Sequence, residues 1–273
     1  MNRLTTAIAA AILVASCGSK AVSEIETEGI KTINAEGAKI TWIRDNAEPR
    51  TNPLRLFPTA SAELIESLGV QDGVASSMSA FLIREDGHNI LFDAGLGGPD
   101  SQLLPALDTL GIRPEDIDYI FITHLHGDHI GGLMKNGEAV FTSAKVYLGR
   151  IEHDAWLEMD PSRNAQQLAL YAAYEGQMNL FEFGDSLPFS IQALDARGHT
   201  PGHTAFQKGK VLIAGDLMHG TAIQMADPTV NSTYDMDQEM SIESRVRIMN
   251  YAKENNLLVA GMHFADPGFI DLR

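Results

Sequence analysis

The stretch THLHGDHIGG, from Thr123 to Gly132, places His124, His126, Asp128 and His129 within six residues. It directly follows the apolar run Tyr119 to Ile122, which reads as a buried strand. As that strand ends, its two-residue alternation turns the imidazoles of His124 and His126 to the same side. Asp128 and His129 then come from the turn behind it. Gly127, Gly131 and Gly132 carry no side-chain bulk, so the backbone is expected to wrap closely around whatever these residues hold. Three imidazoles and a carboxylate crowded together repel one another on protonation and lose hydration when buried. A divalent cation resolves both costs. The nitrogen and oxygen donors suit zinc, iron, manganese, cobalt or nickel rather than a soft metal. One strand end does not close such a site, so partners are expected downstream.

The chain of 273 residues is 44% hydrophobic, enough for one large core and a single domain of packed layers. Its 36 acidic residues outweigh 20 basic ones, giving a net charge of −16. With no basic stripe to offset this, a nucleic-acid partner is disfavoured, because its phosphates would be repelled. At the N-terminus, Arg3 is followed by an apolar run from Ala7 to Ala15 that is too short to span a membrane. The run ends in Leu13-Val14-Ala15-Ser16-Cys17, which resembles a bacterial lipobox. That resemblance implies a signal peptide over residues 1–16 and a lipid anchor on Cys17, the only contact with a membrane. It also implies a periplasm-facing place in the cell envelope. Gly18 and Ser19 follow without an aspartate, which points to the outer membrane. Cys17 is the only cysteine, so no disulfide forms within the chain and no thiolate ligates metal. Residues 17–37 are polar and read as a tether, leaving 38–273 as the folded catalytic domain.

Within that domain, Ala38 to Ile43 reads as a strand. Ala60 to Leu68 reads as a short helix, with Thr59 as its N-cap and Gly69 as its stop. Ser79 to Ile83 and Asn89 to Phe92 form a hairpin around Asp86-Gly87. The second of these strands runs into the glycine-rich loop Asp93 to Gly98. Helices are expected over Ser101 to Leu110, Arg150 to Glu158, Asn164 to Tyr174 and Ile242 to Lys253. Strands are expected at Lys145 to Leu148, Ser190 to Leu194, Ala205 to Lys208, Val211 to Ile213 and Leu257 to Ala260. Strands and helices mix throughout, as in sheets covered by helices.

Three later strand ends carry ligand-type residues: Arg197-Gly198-His199-Thr200-Pro201-Gly202-His203, Ala214-Gly215-Asp216 and Gly261-Met262-His263. The order HxHxDH, GHTPGH, AGD and a late GxH resembles the metallo-β-lactamase superfamily over nearly all of the mature chain. The resemblance implies an α+β fold, a four-layer αββα sandwich, with two divalent metal ions, zinc foremost, at one sheet edge. It implies that His124, His126 and His199 hold the first ion and Asp128, His129 and His263 the second. Asp216 would bridge them together with a water or hydroxide that attacks the substrate. His203 is expected to be structural. Asp93, in the family's Asp-x-Gly strand end, is expected to orient the ligand loop. His219, three residues after Asp216, resembles the branch that contains methyl parathion hydrolase, where quorum-quenching lactonases carry tyrosine. It is expected in the pocket, aiding substrate or leaving group. His88 and His153 are expected to be solvated.

A superfamily does not fix a reaction, because function lives in the site. Many metallo-β-lactamases have cysteine where Asp216 stands, so β-lactam hydrolysis is disfavoured. Glyoxalase-II-type thioesterases carry a further helical domain, for which the ten residues after His263 leave no room. The run GDLMHGTAIQMADP, with the later YDMD and LLVAGMHF, resembles the lactonase and organophosphate hydrolase branch. The expected substrate is therefore a small, apolar ester, lactone or phosphotriester. Met218, Met225, Phe206 and Phe264 are candidates for an apolar pocket. The other readings are a mononuclear iron persulfide dioxygenase of the same fold and a non-catalytic metal- or ligand-binding lipoprotein. Whether the chain forms a homodimer is left open.

Overall fold

The computed structural model describes residues 26–35 and 38–273. Two sheets stack face to face. The first has eight strands, in the order Glu26–Thr27, Ile30–Ala35, Ala38–Arg44, Ser79–Glu85, His88–Phe92, Tyr119–Ile122, Lys145–Gly149 and Met178–Phe181. Its first five strands are antiparallel neighbours, and the last three join in parallel. The second sheet orders Gln192–Asp195, Thr204–Lys208, Val211–Ile213, Leu258–Ala260 and Phe269–Asp271.

Alternation along single strands divides the apolar side chains between layers. On Tyr119–Ile122, Phe121 faces the second sheet while Ile120 and Ile122 face outward. On Val211–Ile213, Val211 and Ile213 point inward and Leu212 outward. Between the sheets, Phe92, Phe121 and Phe206 meet with ring centroids 5.4–5.8 Å apart. Each such ring removed from water contributes about 1.5–3 kcal/mol. Helices Leu103–Thr109 and Pro161–Ala173 cover the outer face of the first sheet. Gln238–Glu254 covers the second through Ile248 and Ala252. The αββα sandwich expected from the sequence is thus the architecture found.

Several local readings need correction. Part of the expected tether is sheet: Ile30–Ala35 pairs with Ala38–Arg44 over its whole length, with Ile30 and Ala35 buried. Its alternation is weak because Lys31, Thr32 and Asn34 interrupt the apolar positions, so composition masked it. The signal peptide and Cys17 lie outside the described residues. The first helix is capped by Ser61 rather than Thr59: Ser61 Oγ accepts from Leu64 N at 3.1 Å. Thr59 Oγ1 instead accepts from Asn231 N. The helix expected from Asn164 starts at Pro161, where Asp160 caps it, and the last helix starts at Gln238 under the Asp237 cap. In both, a capping aspartate won over the first apolar residue as the start signal.

Phe121→Ala is expected to destabilise the protein by about 3–5 kcal/mol, because the stacked rings cannot collapse into the cavity. Denaturant-induced unfolding followed by circular dichroism would measure this, and a loss under 1 kcal/mol would contradict the packing described.

Candidate metal centre

The ligand-type residues reach one edge of the sandwich from both sheets. His124 and His126 leave the end of Tyr119–Ile122, and Asp128 and His129 sit in the single helical turn Gly127–Ile130. His199 follows Gln192–Asp195, Asp216 follows Val211–Ile213, and His263 follows Leu258–Ala260.

All seven converge. His126 Nδ1 lies 2.9 Å from His199 Nε2 and 3.1 Å from His124 Nε2. Asp216 Oδ2 lies 3.2 Å from His199 Nε2, 3.7 Å from His124 Nε2 and 3.1 Å from His263 Nε2. Asp216 Oδ1 lies 3.1 Å from His129 Nε2, and Asp128 Oδ2 lies 3.2 Å from His263 Nε2. Among the described residues the seven fall into two groups, His124-His126-His199-Asp216 and Asp128-His129-His263, each compact enough for one ion; His219 forms two overlapping groups, with His199 and Asp235 and with Asp216 and His263. Tetrahedral donors about 2.0–2.1 Å from zinc stand about 3.3 Å from one another, and these spacings match. Buried His129 Nε2 and Asp216 Oδ1 face each other without a hydrogen bond. Orphans of that kind at the meeting of the two groups are what a cation would satisfy.

The electrostatics point the same way. Burial and the neighbouring imidazoles push His124 well below its ordinary pKa, and His126 down to about 3. Burial opposes charge on His263 too, yet Asp216 and Asp128 raise it to about 10. Burial likewise opposes charge on His129, and Asp216, Asp93 and Asp128 together outweigh it, raising that imidazole. With protein groups alone, protons must supply the positive charge that the carboxylates require. A metal would displace them, so loading releases protons and weakens in acid.

A second layer of contacts fixes the ligands. Asp93, buried, accepts from Thr123 N, Thr123 Oγ1 and His129 Nδ1 at 2.7–2.8 Å, as expected. His203 bonds Ala196 O through Nδ1 and accepts from Asp216 N through Nε2, so it braces the turn and stays out of the donor groups. His263 Nδ1 donates to Ser77 O. His199 Nδ1 pairs with Asp235 Oδ1 at 3.0 Å, and Asp235 in turn meets buried Arg245. Glu152 is wholly buried and accepts from Leu125 N, Trp156 Nε1, Thr200 Oγ1 and Gly202 N at 2.7–2.9 Å. It therefore clips the loop of His124 and His126 to the loop of His199. Burial raises its carboxyl pKa, and the four donors partly offset this.

Glu152 and Asp235 carry no motif of their own in the sequence, since the loop partners they hold, Leu125, Thr200 and Gly202 for the one and His199 for the other, lie 27–50 residues away; buried Arg245 likewise bonds Leu217 O, 28 residues away. The one local hint was YDMD, which contains Asp235. Two expectations about the glycines and the pocket are also corrected. A Cβ on Gly131 or Gly132 would fall 1.9–2.0 Å from Leu96 O or Ala94 O. Those glycines therefore admit the Asp93–Gly98 loop, not the ligand sphere. Met218, Phe206 and Phe264 are core residues, and Met225 is exposed on helix Thr221–Ala226. The cavity over the donors, about 840 Å³, is lined instead by Met78, Leu96, Trp156, Tyr234 and Met236 beside His219 and the ligands. Neither His153 nor His88 is simply solvated: His153 is half-buried against Tyr171, and His88 is half-buried against Tyr119 and Phe189.

A sandwich of this topology with its donors at one edge defines a class, and the comparisons name it. The family model for the metallo-beta-lactamase superfamily matches residues 75–254, well over half of the chain, and the chain belongs to that superfamily. Among solved structures, the hydrolase AbOPH superposes with a TM-score of 0.79 at 25% identity, over 90% of this chain and 94% of that one. AidC, a dizinc quorum-quenching lactonase, gives 0.79 at 22% identity over 89% and 93%, a likeness of fold. Among curated relatives, hydroxyacylglutathione hydrolase of Aeromonas salmonicida is 30% identical over 54% of this chain and 52% of its own length. N-acyl homoserine lactonase AiiA of Bacillus thuringiensis subsp. kurstaki is 26% identical over 59% and 61%. The chain thus spans between half and two thirds of these relatives' lengths.

Asp235→Ala is expected to weaken metal retention about 10–100-fold, because His199 loses the partner that fixes its ring. Competition against a chromogenic chelator measures it. Glu152→Gln is expected to cost about 1–3 kcal/mol of stability by setting an amide N–H against the two donors that one carboxylate oxygen now accepts. Denaturant titration would show an unchanged midpoint if the clip is immaterial.

Proposed function

We propose that the protein is a binuclear metal-dependent hydrolase acting on a small ester or lactone, with phosphotriesters as a further class. The observation that carries this reading is the pair of donor groups meeting at Asp216, whose Oδ2 lies 3.2 Å from His199 Nε2 and 3.1 Å from His263 Nε2 and whose Oδ1 lies 3.1 Å from His129 Nε2. His124, His126 and His199 would hold one ion, and Asp128, His129 and His263 the other. A divalent pair of that kind, zinc foremost, lowers the pKa of water and draws charge from a substrate oxygen. The relatives that are lactonases and hydroxyacylglutathione hydrolases support ester-type chemistry. A mononuclear iron dioxygenase would leave the second donor group without a purpose.

The chain's own residues set the rest. Asp216 stays ionised: burial opposes its charge, and the cationic imidazoles around it, His129 first, prevail. His219 Nε2 lies 3.1 Å from Asp216 Oδ2, and burial lowers its pKa, so it is neutral at neutral pH. Its buried Nδ1 has no partner. Lining the cavity beside the donors, the neutral ring is placed to assist a leaving alcohol. Trp156, Tyr234 and Met236 exclude water from the apolar part of a substrate.

Metal analysis of the purified protein should give about two ions per chain, alongside turnover on a panel of aryl esters, lactones, thioesters and phosphotriesters. Asp216→Ala should abolish turnover. His219→Ala should lower kcat while metal content holds, and His153→Ala should change neither. One iron per chain with persulfide-dependent oxygen uptake would replace this reading by the dioxygenase. The envelope location is a separate proposal resting on the lipobox-like run. Cys17→Ser should move the protein from membrane to soluble fractions, and retention in the membrane would defeat it.

A further inference from the structure

The cavity over the donors carries one feature that ester hydrolysis does not require. Arg50, on the strand Arg50–Asn52, and Arg163, in the first turn of helix Pro161–Ala173, both line it and are both exposed. Neither forms an ion pair among the described residues. Arg163 adds only a minor pull to the Asp160 carboxyl, whose pKa is lowered mainly by hydrogen bonds from Ser162. The chain carries a net charge of −16; Arg44, Arg113, Arg150, Arg197, Arg245 and Arg273 meet carboxylates, whereas Arg50 and Arg163, like Arg55, Arg84 and Arg247 away from this cavity, form no ion pair among the described residues. Among the described residues, the acids lining this cavity are Asp128 and Asp216, both in the donor groups. Once these are neutralised, the entrance is locally positive on an otherwise negative molecule.

A guanidinium left unpaired beside a site, in a protein with acids to spare, is free for a ligand. Its planar fork suits carboxylate or phosphate. Resting on the hydrolase reading above, we propose that the substrate is an anionic ester: an apolar body against Met78, Leu96, Trp156, Tyr234 and Met236, with a carboxylate or phosphate held by Arg50 and Arg163. The field of the entrance also draws such a substrate in against the repulsion of the remaining surface. A neutral ester would use the apolar wall alone and leave both arginines idle.

The test uses the metal-loaded enzyme and matched para-nitrophenyl esters: valerate, which is neutral, hydrogen glutarate, which is nearly isosteric but anionic, and an analogue ending in a phosphate monoester. The glutarate ester is expected to be preferred in kcat/KM by about tenfold or more. In the double variant Arg50→Met/Arg163→Met the preference should fall to within about twofold, with valerate hydrolysis unchanged. Added salt at 0.5 M should erode it in the parent enzyme, since exposed charges are screened over about 3–10 Å. The phosphate ester tells which anion fits better. Binding of the corresponding anilides, followed by calorimetry, gives a readout without turnover. A valerate preference, or a glutarate preference that survives the double substitution, overturns the proposal. If no ester turns over but the glutaryl anilide binds in an arginine-dependent manner, the anion site stands and the hydrolase reading falls. If that anilide binds no better than the valeryl one, the anion site falls as well.

Discussion

The structure depends on one carboxylate held among imidazoles. Asp216 sits within 3.2 Å of His129, His199, His219 and His263, with His124 at 3.7 Å. No protein group balances that arrangement cleanly. Left to protons, it needs buried imidazolium, which the interior resists. The site's neighbours act to keep it in place despite this cost. Asp93, Asp235 and Ser77 O hold the far ring nitrogens of His129, His199 and His263. Each ring can then present only Nε2 to the centre. Protein groups alone thus fix the ring orientations, which is the condition a tight and selective ion site requires.

The fold is arranged to make this meeting possible. Ligands from Tyr119–Ile122 belong to one sheet, and those from Gln192–Asp195, Val211–Ile213 and Leu258–Ala260 to the other. The two sheets are joined below the site by aromatic packing around Phe121 and Phe206. At the edge itself, Glu152 crosses from the first group of loops to the second. A buried carboxylate with four donors is well satisfied, and removing it would leave Leu125 N and Gly202 N without partners. Packing therefore sets the distance between sheets, and Glu152 sets the registration of the loops.

Much of this was legible in the sequence because ligands travel in short motifs at strand ends. HxHxDH, GHTPGH, AGD and GMH each pair an apolar run with its terminal donors, so strand and ligand are read together. The bracing residues carry no such local signature. Glu152 lies in a helix and looks like any amphipathic acid, yet its partners are Leu125, Thr200 and Gly202. Arg245 lies in a long helix and is wholly buried, bonded to Leu217 O, Pro228 O and Val230 O. The misjudged pocket residues fail for a related reason. Met and Phe report that a position is apolar, not which layer it faces, and Met218 and Phe264 turn inward while Leu96 and Met236 line the cavity. Ile30–Ala35 was hidden by polar residues on a partly exposed strand of the first sheet.

The cavity's walls come from places other than the strand ends that bear the donors. Met78 precedes a strand of the first sheet, Leu96 lies in the glycine-rich loop, and Tyr234 and Met236 lie in the connection before Gln238–Glu254. Leu96, Tyr234 and Met236 are also among the most exposed apolar side chains of the described chain. Because so little packing holds them, they can be exchanged at small cost in stability. The chemistry is thus lodged in a part that tolerates almost no alteration, and recognition in a part that tolerates a great deal. A lineage built on this plan can retune what it accepts without rebuilding how it reacts.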